Sequence, residues 1–295
     1  MDLEEQILRY YLSLFSCFLI FLYFLNIFSY KILNKNEITI NINKGESINS
    51  LIDKFISDEN LLIKKIYLSA LIISNKYYSQ INYGKFKIKK NSTFYQILKT
   101  ISKKSNVDFK ISIIEGWEKY QLDKYISSFY DDYEVFEYEN LLASTYIINS
   151  SNSFKDLKKF LDKNKYDFFK KYENNKLLLK FGIKKILIIS SLIEKEAKNY
   201  HDKKLIASVI LNRIKLNMKL QIDATVIASI TEGKFKFTRK LTYSDLKRNH
   251  QLNTYIIKGI PHEMICYVGF ETIKILLGNP KSDFLFYFYN IIEKK

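Results

Sequence analysis

The segment ILIISSLIEKEAKNY, residues 186–200, is the stretch from which the organisation of this chain can be worked out. The apolar run Ile186–Ile189 comes shortly before two carboxylates, Glu194 and Glu196, and the spacing predicts a helix over the whole segment. In a helix, residues i and i+2 lie about 200° apart, so the two carboxylates point to nearly opposite sides. They are therefore not expected to act as a paired acid and base on one bond.

The two carboxylates are expected to have different surroundings. Glu194 has Lys198 four residues later, in the Glu-before-Lys order that stabilises an exposed helix face. Glu196 follows Leu192 and Ile193 by one turn and has no cation at helical spacing, so desolvation is expected to raise its pKa. Such a glutamate can hold a proton near neutral pH and act as a general acid. The alternative is that both glutamates lie on the solvent-exposed side of a helix that has no catalytic role.

Three segments after this helix supply candidate ligand-binding residues. In LQIDATV, residues 220–226, polar and apolar residues alternate, which predicts a strand with a polar row for a hydroxyl-rich ligand, although an ordinary edge strand has the same pattern. Residues 205–214 have the pattern of an amphipathic helix, whose arginine is favoured as a structural ion-pair partner over a substrate clamp. LNTYIIKGIP, residues 252–261, places amide, hydroxyl and aromatic groups before a turn. The candidates are Asn212, Arg213, Gln221, Asp223, Thr225, Asn253 and Tyr255.

An uncharged run of 21 residues, YYLSLFSCFLIFLYFLNIFSY at 10–30, comes before these segments. At about 1.5 Å per residue it covers the roughly 30 Å hydrocarbon core of a bilayer, so it predicts one transmembrane helix. A cleaved signal peptide is the alternative, but the run is longer than a typical signal core and no small-residue cleavage site follows it. Counting the flanking lysines and arginines alone mildly favours a cytoplasmic location for the part after the helix.

The region after the apolar run has the pattern of a small α+β unit. Alternation predicts strands around Ile40, Phe86 and Ile111, while Ser47 and Ser92 are the predicted N-caps of two helices. A further apolar segment covers residues 61–73. The expected core positions are Ile38, Ile40, Ile42, Ile48, Leu51, Ile52, Phe55, Ile56, Phe86, Ile88, Phe94, Ile97, Leu98, Ile101, Val107, Phe109, Ile111 and Ile113.

Composition excludes several classes of function. Lysine and arginine outnumber the acids 47 to 31, for a formal charge of +16. However, the lysines are dispersed and no stripe of arginines with aromatic residues occurs, so no nucleic-acid partner is expected. The only cysteines, Cys17 and Cys266, predict no disulfide, and the three histidines lack the spacing of metal ligands, so no metal site is expected.

The order of these segments resembles the YceG-like family of membrane-bound endolytic murein transglycosylases. The matching pieces are the apolar run, INKGESINSLI, YGKFKI, IIEGW, SSLIEKEA, KLIASVILNRIKLNMKLQIDATV, LNTYIIKGIP and FLFYFYN, and they span most of residues 35–290. The resemblance implies an α+β fold with an N-terminal transmembrane helix. Its implied parts are a short cytoplasmic N-terminus (1–9), the transmembrane helix (10–30), a small LysM-like α+β subdomain (36–105) and a larger mixed α/β catalytic domain (106–295).

The resemblance also implies an activity: a cut within peptidoglycan glycan strands, at the MurNAc–GlcNAc bond, that leaves 1,6-anhydroMurNAc ends and trims or terminates nascent strands. Glu196 maps to the catalytic glutamate, first acid and then base, and no metal or other cofactor is required. The expected partners are glycan strands and membrane peptidoglycan synthases, with the catalytic domain on the periplasmic or extracytoplasmic side of the bacterial cytoplasmic (inner) membrane. The implied substrate-binding residues are Glu194, Asn212, Arg213, Gln221, Asp223, Thr225, Asn253 and Tyr255.

The chain departs from the family pattern in a few places. ENLLASTY, residues 139–146, lacks the glycine, proline and aspartate that the family usually has there, QIDATV stands for QTDPTV, and GIPHEMI replaces a proline-rich turn. The chain also stops before the usual histidine-containing tail. A membrane-anchored glycan-binding or scaffold protein without catalytic activity is therefore the alternative function.

Overall fold

The computed structural model describes residues 3–29, 36–43, 45–54, 69 and 81–287. The chain forms two compact units, one of residues 1–109 with 147–152 and one of residues 110–146 with 153–295. The elements are α1 (Leu3–Ser29), β1 (Ile38–Ile42), α2 (Ile48–Asp53), β2 (Gly84–Ile88), α3 (Phe94–Ile101), β3 (Asp108–Ser112), α4 (Lys119–Ile126), a 3₁₀ turn (Tyr138–Asn140), β4 (Thr145–Asn149), α5 (Phe154–Lys170), α6 (Lys176–Glu196), α7 (Tyr200–Lys215), α8 (Asp223–Thr231), α9 (Tyr243–Leu246) and α10 (Phe270–Leu277). Helices and strands occur in both units, which confirms the α+β class.

The helix α1 is long and apolar enough to cross a membrane. Its span Gln6–Phe24 has 19 residues with a mean hydropathy of 1.8, a length of about 28 Å in a helix. Most of its described side chains are exposed, as suits a helix whose neighbours are lipid tails. The helix begins several residues before the predicted span of 10–30, and Tyr30 lies outside the described residues. Length and composition thus agree with a single membrane-spanning segment.

The first unit is built on an antiparallel pair, β1 with β2, in which Ile40 lies opposite Phe86. Ile40 and Ile42 of β1 and Phe86 and Ile88 of β2 are buried, as the sequence predicts, whereas the predicted core residue Ile38 is half-buried. These side chains form a core together with α3, whose Phe94, Ile97, Leu98 and Ile101 are also buried. The predicted second apolar segment at 61–73 lies outside the described residues apart from Ser69, as do Phe55 and Ile56. The similarity of this first unit to a LysM module stays a prediction.

Of the two N-cap residues predicted for this unit, one is confirmed and the other is wrong. Ser47 accepts a hydrogen bond from the backbone N–H of Ser50 at 3.2 Å, which confirms it as the cap of α2. The prediction of Ser92 as the cap of α3 is wrong by one residue. Thr93 forms the capping box with Gln96, while the Ser92 hydroxyl donates to the carbonyl of Lys89.

The core of the second unit is the packing of α6, α7 and α10 against one another. The C-terminal part of α6 is almost entirely buried from Ile186 to Glu194. Within α6 the backbone breaks at Gly182, where φ is 72° and ψ is 163°. This region of backbone conformation is open essentially only to glycine. The straight helical run that leads to the two carboxylates therefore starts after Gly182.

The helix predicted over 186–200 ends earlier than expected, at Glu196. Ala197 is extended, with φ −138°, and α7 starts at Tyr200 after an N-cap, Asn199, that accepts from the N–H of Asp202 at 2.9 Å. The asparagine cap competes with continuation of α6 because it satisfies the first N–H groups of a new helix. Glu196 is consequently the last residue of its helix.

The strand predicted over 220–226 is wrong. Gln221 has a left-handed backbone, with φ 54°, and α8 begins at Asp223. Instead of a neighbouring strand, the segment pairs with Thr254, whose carbonyl accepts from the N–H of Gln221 at 3.1 Å and whose hydroxyl accepts from the N–H of Ile222 at 2.9 Å. The apolar residues of the pattern, Leu220 and Ile222, are still buried.

Replacement of Gly182 by alanine is expected to lower the free energy of unfolding by about 1–3 kcal/mol, since alanine must adopt a strained backbone there. An added Cβ would meet no described atom within 4 Å, so a steric clash adds nothing. The measurement is chemical denaturation of the purified full-length chain in detergent micelles. The exposed helical Lys184→Ala serves as control and should change stability by less than about 0.5 kcal/mol. Equal stability of both variants and the wild type would contradict the role of the glycine.

Candidate active site

An open pocket of about 360 Å³ lies at the C-terminal end of α6. It is open to solvent. Its lining combines two carboxylates with an amide, two phenols and a guanidinium. The lining residues are Glu196, Arg213, Leu220, Gln221, Asp223, Tyr255 and Tyr287.

Glu196 is the half-buried carboxyl group of this pocket. Burial raises its pKa above the usual value and the negative charge of Asp223 adds to the rise, while a hydrogen bond from the hydroxyl of Tyr287 to Oε2, at 3.1 Å, opposes it. Within the described part of the chain, no lysine or arginine forms an ion pair with Glu196. The side chain can therefore hold a proton and release it to a bound group, as a general acid does.

Asp223 is the second carboxylate of the pocket, and it is exposed at the first position of α8. The free N–H groups of a helix start favour a negative charge at this position. Tyr255 donates its hydroxyl to Oδ1 of Asp223 at 2.6 Å, and burial raises the pKa of Tyr255, which keeps it a donor. Asp223 is thus a fixed charge close enough to influence Glu196.

Arg213 and Gln221 reach the same pocket in different ways. Arg213 is buried and donates to the backbone carbonyls of Leu285 and Leu220 at 2.6 and 2.7 Å, with its guanidinium over the ring of Phe286. The expectation of an ion-pair partner is wrong for the described residues, because carbonyl oxygens take its N–H groups. Gln221 is exposed, so its amide is free to face a ligand.

Glu194 lies on the opposite side of α6, as the helical spacing predicts, but that side is buried. Its carboxylate accepts from the ammonium of Lys203 at 2.6 Å and from the hydroxyl of Thr272 at 2.5 Å. The predicted solvated face and pair with Lys198 are therefore wrong, because the next helix supplies the cation. Glu194 does not line the pocket around Glu196.

Three other residues predicted to bind a ligand form hydrogen bonds within the fold and do not line the pocket. Thr225 is buried and bonds to the hydroxyl of Thr254 at 2.9 Å. Asn253 is buried and donates to the carbonyls of Leu246 and Arg248. Asn212 donates to the carbonyls of residues 282 and 284. These contacts hold loops that surround the pocket.

Sequence reasoning missed Tyr287. The residue belongs to the apolar stretch FLFYFYN and lies 91 residues after its partner Glu196. No periodic pattern links the two positions, because the contact depends on how the chain returns to α7. The only signal in the sequence was the presence of two tyrosine hydroxyls, at residues 287 and 289, in an otherwise apolar run.

Comparison with known proteins identifies similar sequences in one family. The model of the YceG-like family matches residues 40–295. An endolytic murein transglycosylase of Bacillus subtilis is 32% identical over 148 residues, which are 50% of this chain and 40% of that protein. One from Streptococcus pneumoniae strain D39 is 26% identical over 162 residues, 52% of this chain and 28% of that protein. The matches thus span less than half the length of these relatives.

A solved structure shows the same fold. The crystal structure of a YceG-like protein from Listeria monocytogenes superposes with a TM-score of 0.55 over 87% of this chain and 95% of its own chain, at 24% sequence identity. The comparison supports an α+β fold for this chain. Since the family model covers most of the sequence, the chain belongs to the YceG-like family.

Removal of one partner of the buried ion pair is expected to destabilise the second unit strongly. Glu194→Ala leaves the ammonium of Lys203 buried without its main counter-charge, which costs about 3 kcal/mol or more. The double variant Glu194→Leu with Lys203→Met removes both charges and should recover much of that loss. Thermal unfolding of the full-length chain in micelles measures both. A single variant as stable as the wild type would show that the pair contributes nothing to the fold.

Proposed function

We propose that this protein is a membrane-anchored endolytic murein transglycosylase in which Glu196 is the general acid and then the general base. The observation that carries the proposal is a half-buried carboxyl group with a raised pKa in an open pocket. Membership of the YceG-like family and the names of the two relatives support the same activity.

The reaction needs only one catalytic carboxyl group. Protonated Glu196 gives its proton to the oxygen of the MurNAc–GlcNAc bond, and the bond from C1 of MurNAc to that oxygen breaks. The resulting carboxylate takes the proton of the C6 hydroxyl of the same MurNAc, whose oxygen bonds to C1. The products are a free GlcNAc hydroxyl and a 1,6-anhydroMurNAc end. Glu196 regains its proton, and no water is consumed.

The rest of the pocket suits a sugar ligand. Gln221 and Asp223 present an amide and a carboxylate that can bond to hydroxyl groups, and Tyr255 adds an aromatic surface. The pocket is open, so a glycan strand can enter by its middle rather than by its end. This is the geometry that an endolytic cut requires.

The location follows from the substrate. Peptidoglycan lies outside the cytoplasmic membrane, so α1 would anchor the chain in that membrane with the second unit on the extracytoplasmic side. This arrangement would also bring Glu196 to newly made strands and to the membrane synthases that make them.

A glycoside hydrolase is the second candidate, because the pocket holds two carboxylates. In hydrolases the second carboxylate activates water or attacks the sugar. Asp223 would have this role, and the product would be a reducing MurNAc end. The two candidates differ in the mass of the product by one water.

Glu196→Gln is expected to lower the rate of anhydromuramyl formation by about a hundredfold or more, since the amide has no proton to donate. The assay incubates the full-length protein in micelles with uncrosslinked glycan strands and identifies products by mass spectrometry. Glu271→Gln makes the same change at an exposed side chain of α10 and serves as the matched control.

Four results would contradict the proposal. The first is a Glu196→Gln variant that cuts at the wild-type rate. The second is a product that has gained a water, which would assign a hydrolase. The third is wild-type protein that retains glycan without any product, which would assign a binding or scaffold protein. The fourth is wild-type protein that neither retains nor cuts glycan.

The pH profile gives an independent test. Glu196 must be protonated at the start of the reaction, so the rate falls as pH rises through its pKa. Because the charge of Asp223 raises that pKa, Asp223→Asn should lower it and shift the high-pH limb of the profile to lower pH. The limb position, rather than the rate itself, is the measurement, since Asp223 also faces the ligand. A limb that stays in place or moves upward would exclude the electrostatic coupling.

A further inference from the structure

The segment of residues 282–287, here called the C-terminal strap, crosses the pocket end of α7. Its side chains Phe284 and Phe286 are 60% and 58% exposed. Burial of these rings therefore contributes little to its attachment. Polar contacts to the strap backbone must provide most of it.

Three residues of α7 hold the strap. Ser208 and Asn212 are four residues apart and so lie on one face of the helix. The Ser208 hydroxyl pairs with the hydroxyl of Ser282 at 2.6 Å, and the Asn212 amide donates to the carbonyls of Ser282 and Phe284 at 2.8 and 2.9 Å. Arg213 donates to the carbonyl of the next residue along the strap at 2.6 Å. These three side chains form what we call the strap clamp.

The strap clamp holds the segment that places Tyr287 beside Glu196. The Tyr287 hydroxyl donates to Oε2 of Glu196 at 3.1 Å, so Oε1 is the oxygen that does not accept this hydrogen bond. Burial raises the pKa of Tyr287, so this hydroxyl stays a donor. When Glu196 becomes a carboxylate after proton transfer, the same hydrogen bond becomes charge-assisted and stronger.

We propose that Tyr287 is a positioning residue that orients the Glu196 carboxyl group and stabilises its charged state, and that Asn212 and Arg213 act by clamping the strap rather than by binding glycan. The catalytic side of this inference rests on the proposed function. The contact itself can be tested without any substrate.

The experiment follows the carboxyl ¹³C signal of Glu196 against pH in the full-length protein, labelled at glutamate and held in micelles. The signal is assigned by its loss in Glu196→Gln. Tyr287→Phe removes the hydrogen bond that favours the carboxylate, so the pKa of Glu196 is expected to shift upward. Asn212→Ala removes two bonds to the strap and should shift the pKa in the same direction. The high-pH limb of glycan cleavage should move upward in both variants.

Tyr243→Phe is the matched control, because it removes the hydroxyl of a tyrosine on α9 that is 74% exposed. It should leave the titration and the cleavage profile unchanged. A Glu196 titration that is identical in Tyr287→Phe and wild type would overturn the role of Tyr287. A shift in Tyr287→Phe without one in Asn212→Ala would overturn the clamp. Shifts in both variants of a protein that cuts no glycan would support the contact and refute the proposed function.

Discussion

The second unit depends on a buried polar cluster of Glu194, Lys203 and Thr272. One residue comes from each of the three helices that form its core, so the cluster fixes α6, α7 and α10 relative to one another. Each charge is satisfied, since an unpaired buried charge would cost several kcal/mol, on the order of the stability of the whole unit. Because Glu194 is held on the inner side of α6, the residue two positions later must point the other way. The cluster thereby directs Glu196 into the pocket.

The position of Glu196, the proposed acid, at the end of a helix explains its intermediate exposure. A side chain in the middle of α6 would be covered by neighbouring helices, and one on a loop would be held less accurately. Glu196 has a rigid helix behind it and an extended Ala197 after it. It is thus both half-buried, which raises its pKa, and reachable from solvent.

The sequence predicted elements whose determinants are local. The alternation of apolar and polar residues predicted β1 and β2, and helical spacing of apolar residues predicted the buried face of α3. Both patterns depend on residues that are close in the chain. It also gave the opposite directions of Glu194 and Glu196. It failed where distant residues decide the outcome: Lys203 buries Glu194, Thr254 replaces a strand partner for Gln221, and Tyr287 reaches Glu196.

A carboxyl group that first gives and then takes a proton needs two states of similar free energy. Burial and the charge of Asp223 disfavour the carboxylate of Glu196, whereas the hydrogen bond from Tyr287 favours it. The balance of these opposing effects suits a residue that must return to its starting state within one cycle. Asp223 itself accepts the hydrogen bond of the Tyr255 hydroxyl through Oδ1. Under the proposed function, Oδ1 of Asp223 is thus already engaged and is not free to activate a water.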